Sequence, residues 1–353
     1  MAYRIYVGSY TQEIYTLQFD SKTSSLTLLS SLTVGHHPSW VTSLPSDPSV
    51  IFTGLEQSDG KIVALKYDGN GQGTIIGSAP SGGADPCSLL VFDNKLFIGN
   101  YSAGLLHIIP LSDNDSYLQP SLSTSVVFSG TGPDKDRQEA SHPHQAIAHP
   151  DRPEVLVPDL GGDKIWRLTK DAKGSWTKAG FVEIRPGGGP RHVAFHNGVL
   201  YTLLELSSEI TAHYLPPLPA QPTLITTAPT MSKFPGDPVK LGMLAAELLL
   251  PKPNPSFSSP YLYVSNRNDP SPEGDVISIY SVVNPEKLEL VAEVRSGLKH
   301  LRGMQFGGPD DKYLIAGGAQ GGGVKIFERV DGGKGLKEIA HVDLEAPTGF
   351  LWA

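Results

Sequence analysis

The sequence predicts an all-β fold: a seven-bladed β-propeller with four-stranded blades, its ring closed by a C-terminal strand that joins the N-terminal blade. Three observations predict it. One is a recurring strand–turn–strand unit, clearest at residues 190–206 (PRHVAFHNGVLYTLLEL), where strands at 191–195 and 199–204 flank His196-Asn197-Gly198. Asn-Gly between two apolar runs is a strong turn signal because both residues tolerate positive φ. The second is spacing. First strands of such units begin near residues 38, 86, 143, 190, 242, 301 and 348, a period of roughly 47 to 59 residues that suits a propeller blade rather than a helical solenoid. The third is the strand at 348–352, which no hairpin partner follows. It supplies the first strand that the N-terminal unit lacks and removes an open sheet edge.

The elements follow in order. Residues 4–8, 14–20 and 26–34 alternate apolar and polar side chains and form the rest of the split blade. His37-Pro38-Ser39-Trp40-Val41 opens the next unit, continued by 49–55 (SVIFTGL) and 61–67 (KIVALKY), both rich in β-branched and aromatic residues. Residues 86–92, 95–99 and 104–109 repeat the pattern, then 143–149, 154–158 and 164–168. The unit at 191–204 is completed by 209–214. Residues 242–249, 261–265 and 275–281 follow, then 301–306, 313–316 and 323–327. MLAAELLL at 243–250 suits a helix as well as a strand. Two segments, 112–140 and 215–240, break the rhythm, and loops this long are usually functional or disordered. The chain reads as one domain over residues 1–353.

Composition narrows the function. Gly 38 and Pro 30 fit many short strands joined by many turns. A net charge of −8 argues against nucleic acid, which needs a clustered basic surface. One cysteine, Cys87, excludes an intramolecular disulfide framework and fits a reducing compartment. The first residues lack a signal-peptide pattern, and the longest apolar candidate, 241–250, is interrupted by Gly242 and Glu247. The expectation is a cytoplasmic protein with no membrane partner; its oligomeric state stays open.

In a propeller, the start of each innermost strand and the end of each second strand share one face. Those positions carry His142, His144, Arg191, His192, Glu247, His300 and Arg302 at the starts, and Glu56, Asn100, Tyr101, Glu205, Asn266 and Arg267 at the ends. Ionisable groups gathered at one mouth are the default site hypothesis.

The runs GSYT (8–11), GNYSAG (99–104), SHPHQ (141–145), VPDLGGDKI (157–165), GGGPRH (187–192), LLELSSEI (203–210) and YVSNRND (263–269) resemble the seven-bladed lactonase family. That family includes propeller-type 6-phosphogluconolactonases and the fungal carboxy-cis,cis-muconate cyclase. The resemblance spans nearly the whole chain. It implies an enzyme without metal or cofactor that opens or forms small anionic lactones, its partner being a small anionic lactone or a dicarboxylate. By motif, the family's catalytic His, Arg, Glu and Arg fall on His144 (or His142), Arg191, Glu205 and Arg267. Asn100, Tyr101, His192, Asn266, His300, Arg302 and Glu56 surround them as candidate substrate contacts. The sequence departs from the family pattern after Pro251 (KPNPSFSSP) and over 215–240, both expected to reshape the mouth.

The residue chemistry agrees with that implication. Lactone hydrolysis needs a base for water, cations for the tetrahedral oxyanion and an acid for the leaving alkoxide. A Glu or a His serves as base, and an arginine fork holds a carboxylate or phosphate. Cyclisation of a muconate needs the same parts, so both directions stay open, as does a non-catalytic binding platform. Blander readings stand beside these. His142 and His144 are a catalytic group and a structural one, or both structural; a metal pair lacks a clustered third ligand. Arg191 and Glu205 also suit a structural ion pair. Asp159 and Asp163 suit turn stabilisation better than a calcium loop. GGGP at 187–190 precedes no helix and cradles no phosphate, and Cys87 suits a small core residue.

Overall fold

The computed structural model describes residues 1–113, 116–238 and 240–353; residues 114–115 of the first long segment and 239 of the second lie outside the described residues. The described strands form seven four-stranded antiparallel sheets arranged as a ring. Their innermost strands are Pro38–Leu44, Pro86–Phe92, Ile147–Ala148, Pro190–His196, Leu244–Leu249, Lys299–Gly307 and Pro347–Trp352. Among the described residues helix is confined to short 3-10 turns, such as Pro120–Leu122 and Pro309–Asp311.

The ring closes through Pro347–Trp352, which pairs antiparallel with Ala2–Ser9, Ile5 facing Trp352 and Val7 facing Phe350. The backbone N–H of Ala353 donates to the Arg4 carbonyl at 3.0 Å, and the Trp352 N–H donates to Gln305 Oε1 at 3.1 Å in the preceding blade. Blades pack face to face through their alternating apolar side chains. Ile5, Val7, Leu17 and Phe19 of the split blade bury against Tyr313, Ile315 and Ile326 of its neighbour. Near the axis the blades approach so closely that side chains are excluded: a Cβ on Gly8 would sit 2.7 Å from the Pro38 carbonyl oxygen, and one on Gly54 would sit 2.8 Å from that of Pro86. Only glycine fits there.

Several expectations need correction. The strand expected at 143–149 is reduced to Ile147–Ala148 plus an isolated bridge from Pro143 to Asp159. The intervening residues bond to the neighbouring blade instead of the ladder: Cys87 Sγ donates to the Pro143 and His144 carbonyls at 3.7 Å, and the Ala146 N–H donates to Ser88 Oγ at 3.1 Å. The two long segments are not wholly irregular: each contains its blade's outer strand, Thr124–Val127 and Thr223–Pro229. The ambiguous stretch near 243–250 is a strand, Leu244–Leu249, with a bulge between Ala245 and Leu248. The KPNPSFSSP insert lies away from the mouth. It joins the bottom of the first strand of its blade to the second, and Asn254 Nδ2 donates to the Asp310 carbonyl at 3.0 Å in the corresponding turn of the next blade.

Candidate active site

Each innermost strand starts with an irregularity that aims one side chain at the axis. Register shifts fall at Pro38/Trp40, Pro86/Ser88, Pro190/His192, Ala245/Leu248 and Leu301/Gly303, and opposite Thr348 in the closing strand. Bulges of this kind re-aim side chains beside functional sites. The third blade reaches the same position without a ladder, the His144 N–H donating to the Pro158 carbonyl at 2.9 Å. The result is one residue per blade, namely Ser39, Cys87, His144, Arg191, Glu247, Arg302 and Thr348, all on the wall of an axial cavity of about 480 Å³.

Behind Arg191 lies Glu205, just past the end of Val199–Leu204. Three arginines converge on its carboxylate. Arg191 Nε donates to Oε2 at 2.7 Å, Arg267 Nη2 lies 2.9 Å from the same oxygen, and Arg137 Nη2 donates to Oε1 at 2.6 Å. Burial alone would raise the Glu205 carboxyl, but Arg267, Arg191 and Arg137 together hold it well below the usual carboxylate range. Glu205 is therefore ionised, fully paired and a poor proton carrier. Arg191 and Arg267 are also tied to the chain. Arg191 donates to the Ala246 carbonyl and Arg267 Nη2 to the Ala245 carbonyl.

The remaining ionisable groups divide by their hydrogen bonds. His144 is buried on the cavity wall with Nδ1 unpartnered. Burial first, then the Arg191 and His192 charges, push its pKa well below 6.5, so the imidazole is neutral near pH 7. His142 is engaged at both nitrogens, Nδ1 with the Tyr101 carbonyl at 3.0 Å and Nε2 with Glu139 at 3.1 Å, and its ring stacks on Tyr101. Of the two histidines, only His144 lines the cavity. Arg191 Nη1 donates to His192 Nε2 at 3.1 Å, which leaves the His192 proton on Nδ1, 2.5 Å from Glu247 Oε1.

Of the candidate contacts, His192 and Arg302 lie on the cavity wall; Asn100, Tyr101, Asn266, His300 and Glu56 do not. Asn266 accepts from Thr230 Oγ1 at 2.6 Å, and Asn100 donates to the Ser81 carbonyl at 2.9 Å, so both amides brace loops. His300 Nδ1 meets Asn268 Oδ1 at 2.8 Å, and burial lowers its pKa to about 4. Arg302 lies 3.6 Å from Glu56 and over the Tyr10 ring. Glu205 and Arg267 are likewise off the wall and buried. Burial pushes the Cys87 thiol up to about 12, which leaves it unreactive. Among the described residues no cluster of three or more His, Cys, Asp or Glu is arranged to hold a metal ion.

The sequence reading missed Arg137, which sits in the long segment with no strand to mark it. The ring itself had a signal: Ser39, Cys87, His144, Arg191 and Thr348 each follow a proline, which heads the inner strand in every case but that of Pro143.

Comparison with known proteins places this geometry. A family model described as a seven-bladed β-propeller lactonase matches residues 4–352. The 6-phosphogluconolactonase of Bacillus subtilis is 28% identical over 336 residues, covering 92% of this chain and 90% of that protein. A probable 6-phosphogluconolactonase of Arthroderma benhamiae is 28% identical, covering 98% of this chain and 88% of the relative. Among solved structures, a putative 6-phosphogluconolactonase from Bacteroides fragilis superposes with a TM-score of 0.86 at 24% identity, covering 100% of this chain and 98% of that one. The periplasmic gluconolactonase of Pseudomonas aeruginosa superposes with a TM-score of 0.84 at 22% identity, covering 100% and 99%. The structural likenesses carry the fold, and the family match carries the membership: the chain belongs to the seven-bladed β-propeller lactonase family.

Proposed function

We propose that the chain is a hydrolase, acting as one domain, that opens a small anionic sugar-acid lactone at the head of its axial cavity, without a metal. The observation that supports this most is His144, a neutral imidazole that lines a small-molecule-sized cavity beside the Arg191 guanidinium. His144 takes a proton from water as the oxygen adds to the lactone carbonyl. Arg191 stabilises the oxyanion, assisted by Arg302 across the ring. The oxyanion then collapses and the ring C–O bond breaks. The alkoxide takes the proton back from the His144 imidazolium, which leaves the free hydroxy acid and the starting imidazole. The low pKa of His144 keeps it in the base form, and the anionic intermediate stabilises its charged form when that is needed. Glu205 serves as a positioning residue, its charge holding Arg191 and Arg267 in place. A recess lined by ionisable groups supports an enzyme over a flat binding platform.

A cytoplasmic setting fits the buried free thiol of Cys87; no helix of the described residues is long and apolar enough to cross a membrane.

The test follows conversion of phosphorylated sugar lactones, neutral aldonolactones and carboxymuconate by NMR, each with and without EDTA. Opening of the phosphorylated lactone well above its spontaneous rate, equal with and without EDTA, is expected. Lactonisation of carboxymuconate with no lactone opened would reassign the chain as a cyclase. Loss of activity in EDTA, restored by a divalent ion, would transfer the mechanism to metal-activated water.

A further inference from the structure

We propose that Arg137 is the residue that selects for an anionic group carried away from the lactone ring, a phosphate or a carboxylate, by moving its guanidinium from Glu205 to the incoming substrate. The inference rests on the lactonase reading and adds a specificity determinant to it.

Charge is the first ground. One carboxylate, Glu205, faces three guanidiniums, Arg137, Arg191 and Arg267. The cluster carries surplus positive charge in a largely buried place, where an unbalanced charge is costly and a second anion is favoured. Exposure is the second. The Arg137 side chain is 34% exposed, against 2% for Arg191 and 5% for Arg267. It is the one most open to a group arriving from solvent at the mouth, whereas Arg191 meets substrate only on the cavity wall. Bonding is the third. Glu205 Oε2 is already shared by Arg191 and Arg267, whereas Arg137 takes only Oε1. Releasing Arg137 therefore leaves Glu205 neutralised and the two buried arginines in place. Among the described residues its other polar side-chain contact is a long one, 3.5 Å to the Tyr101 hydroxyl.

The loop around it is built to hold the backbone still while the side chain moves. Gln138 is fully buried, its Nε2 donating to the Leu160 carbonyl at 2.9 Å. The Gly132 N–H donates to the Gln138 carbonyl, and the Gln138 N–H to that of Asp134. Asp134 Oδ1 accepts from the Arg137 N–H at 3.1 Å. His142 braces the same segment through Glu139. These contacts account for GTGPDKDRQ as a mounting for one arginine at the mouth.

The test compares kcat/KM of the full chain and its Arg137→Ala variant on phosphorylated, carboxylated and neutral aldonolactones, with calorimetric binding of 6-phosphogluconate and gluconate alongside. A charged hydrogen bond contributes about 1.5–3 kcal/mol, so the charged-to-neutral selectivity ratio is expected to fall roughly ten- to hundredfold, chiefly through KM. Which charged lactone loses more identifies phosphate or carboxylate as the preferred group. Arg137→Lys, which keeps the charge, is expected to recover part of the ratio and serves if the alanine variant folds poorly. An unmoved ratio in a chain that opens lactones would overturn the inference and leave the lactonase reading intact. If the wild-type chain opens no lactone, the reading fails, but weaker binding of 6-phosphogluconate relative to gluconate in Arg137→Ala would still support an anion-selecting arginine. Equal binding of both by wild type and variant would overturn it.

Discussion

A chain lacking residues 348–353 is expected to lose cooperative unfolding and to associate through an open sheet edge. The deletion removes the partners of Ile5, Tyr6, Val7 and Gly8 in the closing ladder. It also removes Phe350, which is buried between the first and last blades, and the Thr348 hydroxyl that donates to the Ser39 carbonyl at 2.8 Å. Burying one large apolar side chain contributes about 1.5–3 kcal/mol, and whole domains are stable by only about 5–15 kcal/mol. Losing a strand that carries Phe350, Leu351 and Trp352 therefore takes away much of that margin. The edge left on Ala2–Ser9 is a template for pairing with another chain. Thermal melting and size-exclusion chromatography check this; a truncated monomer with the wild-type Tm would show that the ring does not depend on this closure.

Glu205→Ala is expected to destabilise the fold more than any other single change at the mouth. Glu205 is buried beneath three guanidiniums, and removing one partner of a buried ion pair typically costs about 3–5 kcal/mol because the other charge is left without compensation. The folded carboxyl has a depressed pKa, so its stabilisation is complete above the unfolded value of 4.5 and fades only as pH falls well below it. The difference in Tm between wild type and variant should therefore narrow in acid. Glu205→Asp retains the charge and is expected to lie between the two. A variant as stable as wild type at neutral pH would mean that the arginines are not held by this carboxylate.

Much of the fold was legible because the repeat is written in large apolar residues with regular turns. Apart from the one at 26–34, the outer strands were not: Thr223–Pro229 (TLITTAP) is mostly solvent-exposed, and a strand that buries neither face has no apolar alternation to betray it. The strand expected at 143–149 was shortened by tertiary contacts, since Cys87 and Ser88 of the neighbouring blade take the backbone groups of Pro143, His144 and Ala146 and override a good local propensity. At the site, Arg191, Glu205 and Arg267 were placed on one face by topology alone, and the structure brings them together. His142 and His144 could not be separated by spacing, because what separates them is the occupation of His142 by Tyr101 and Glu139. Arg137 lies 68 residues from Glu205 in sequence, on a loop without periodicity, and only the folded chain reveals that contact.

The most direct test of the chemistry compares kcat of His144→Asn and Glu205→Gln on one lactone, with the Tm of each and the wild-type rate at pH 7 and pH 5. His144→Asn is expected to lower kcat by about 10²–10⁴-fold, the usual contribution of a positioned acid–base group, with Tm close to wild type. Glu205→Gln should lose less in kcat and more in Tm. The wild-type rate should fall less between pH 7 and pH 5 than the titration of an ordinary imidazole would impose, because burial holds the His144 pKa well below 6.5. A Glu205→Gln enzyme that loses the larger share of kcat at unchanged Tm, beside an active His144→Asn, would contradict the assignment and make the carboxylate the proton carrier.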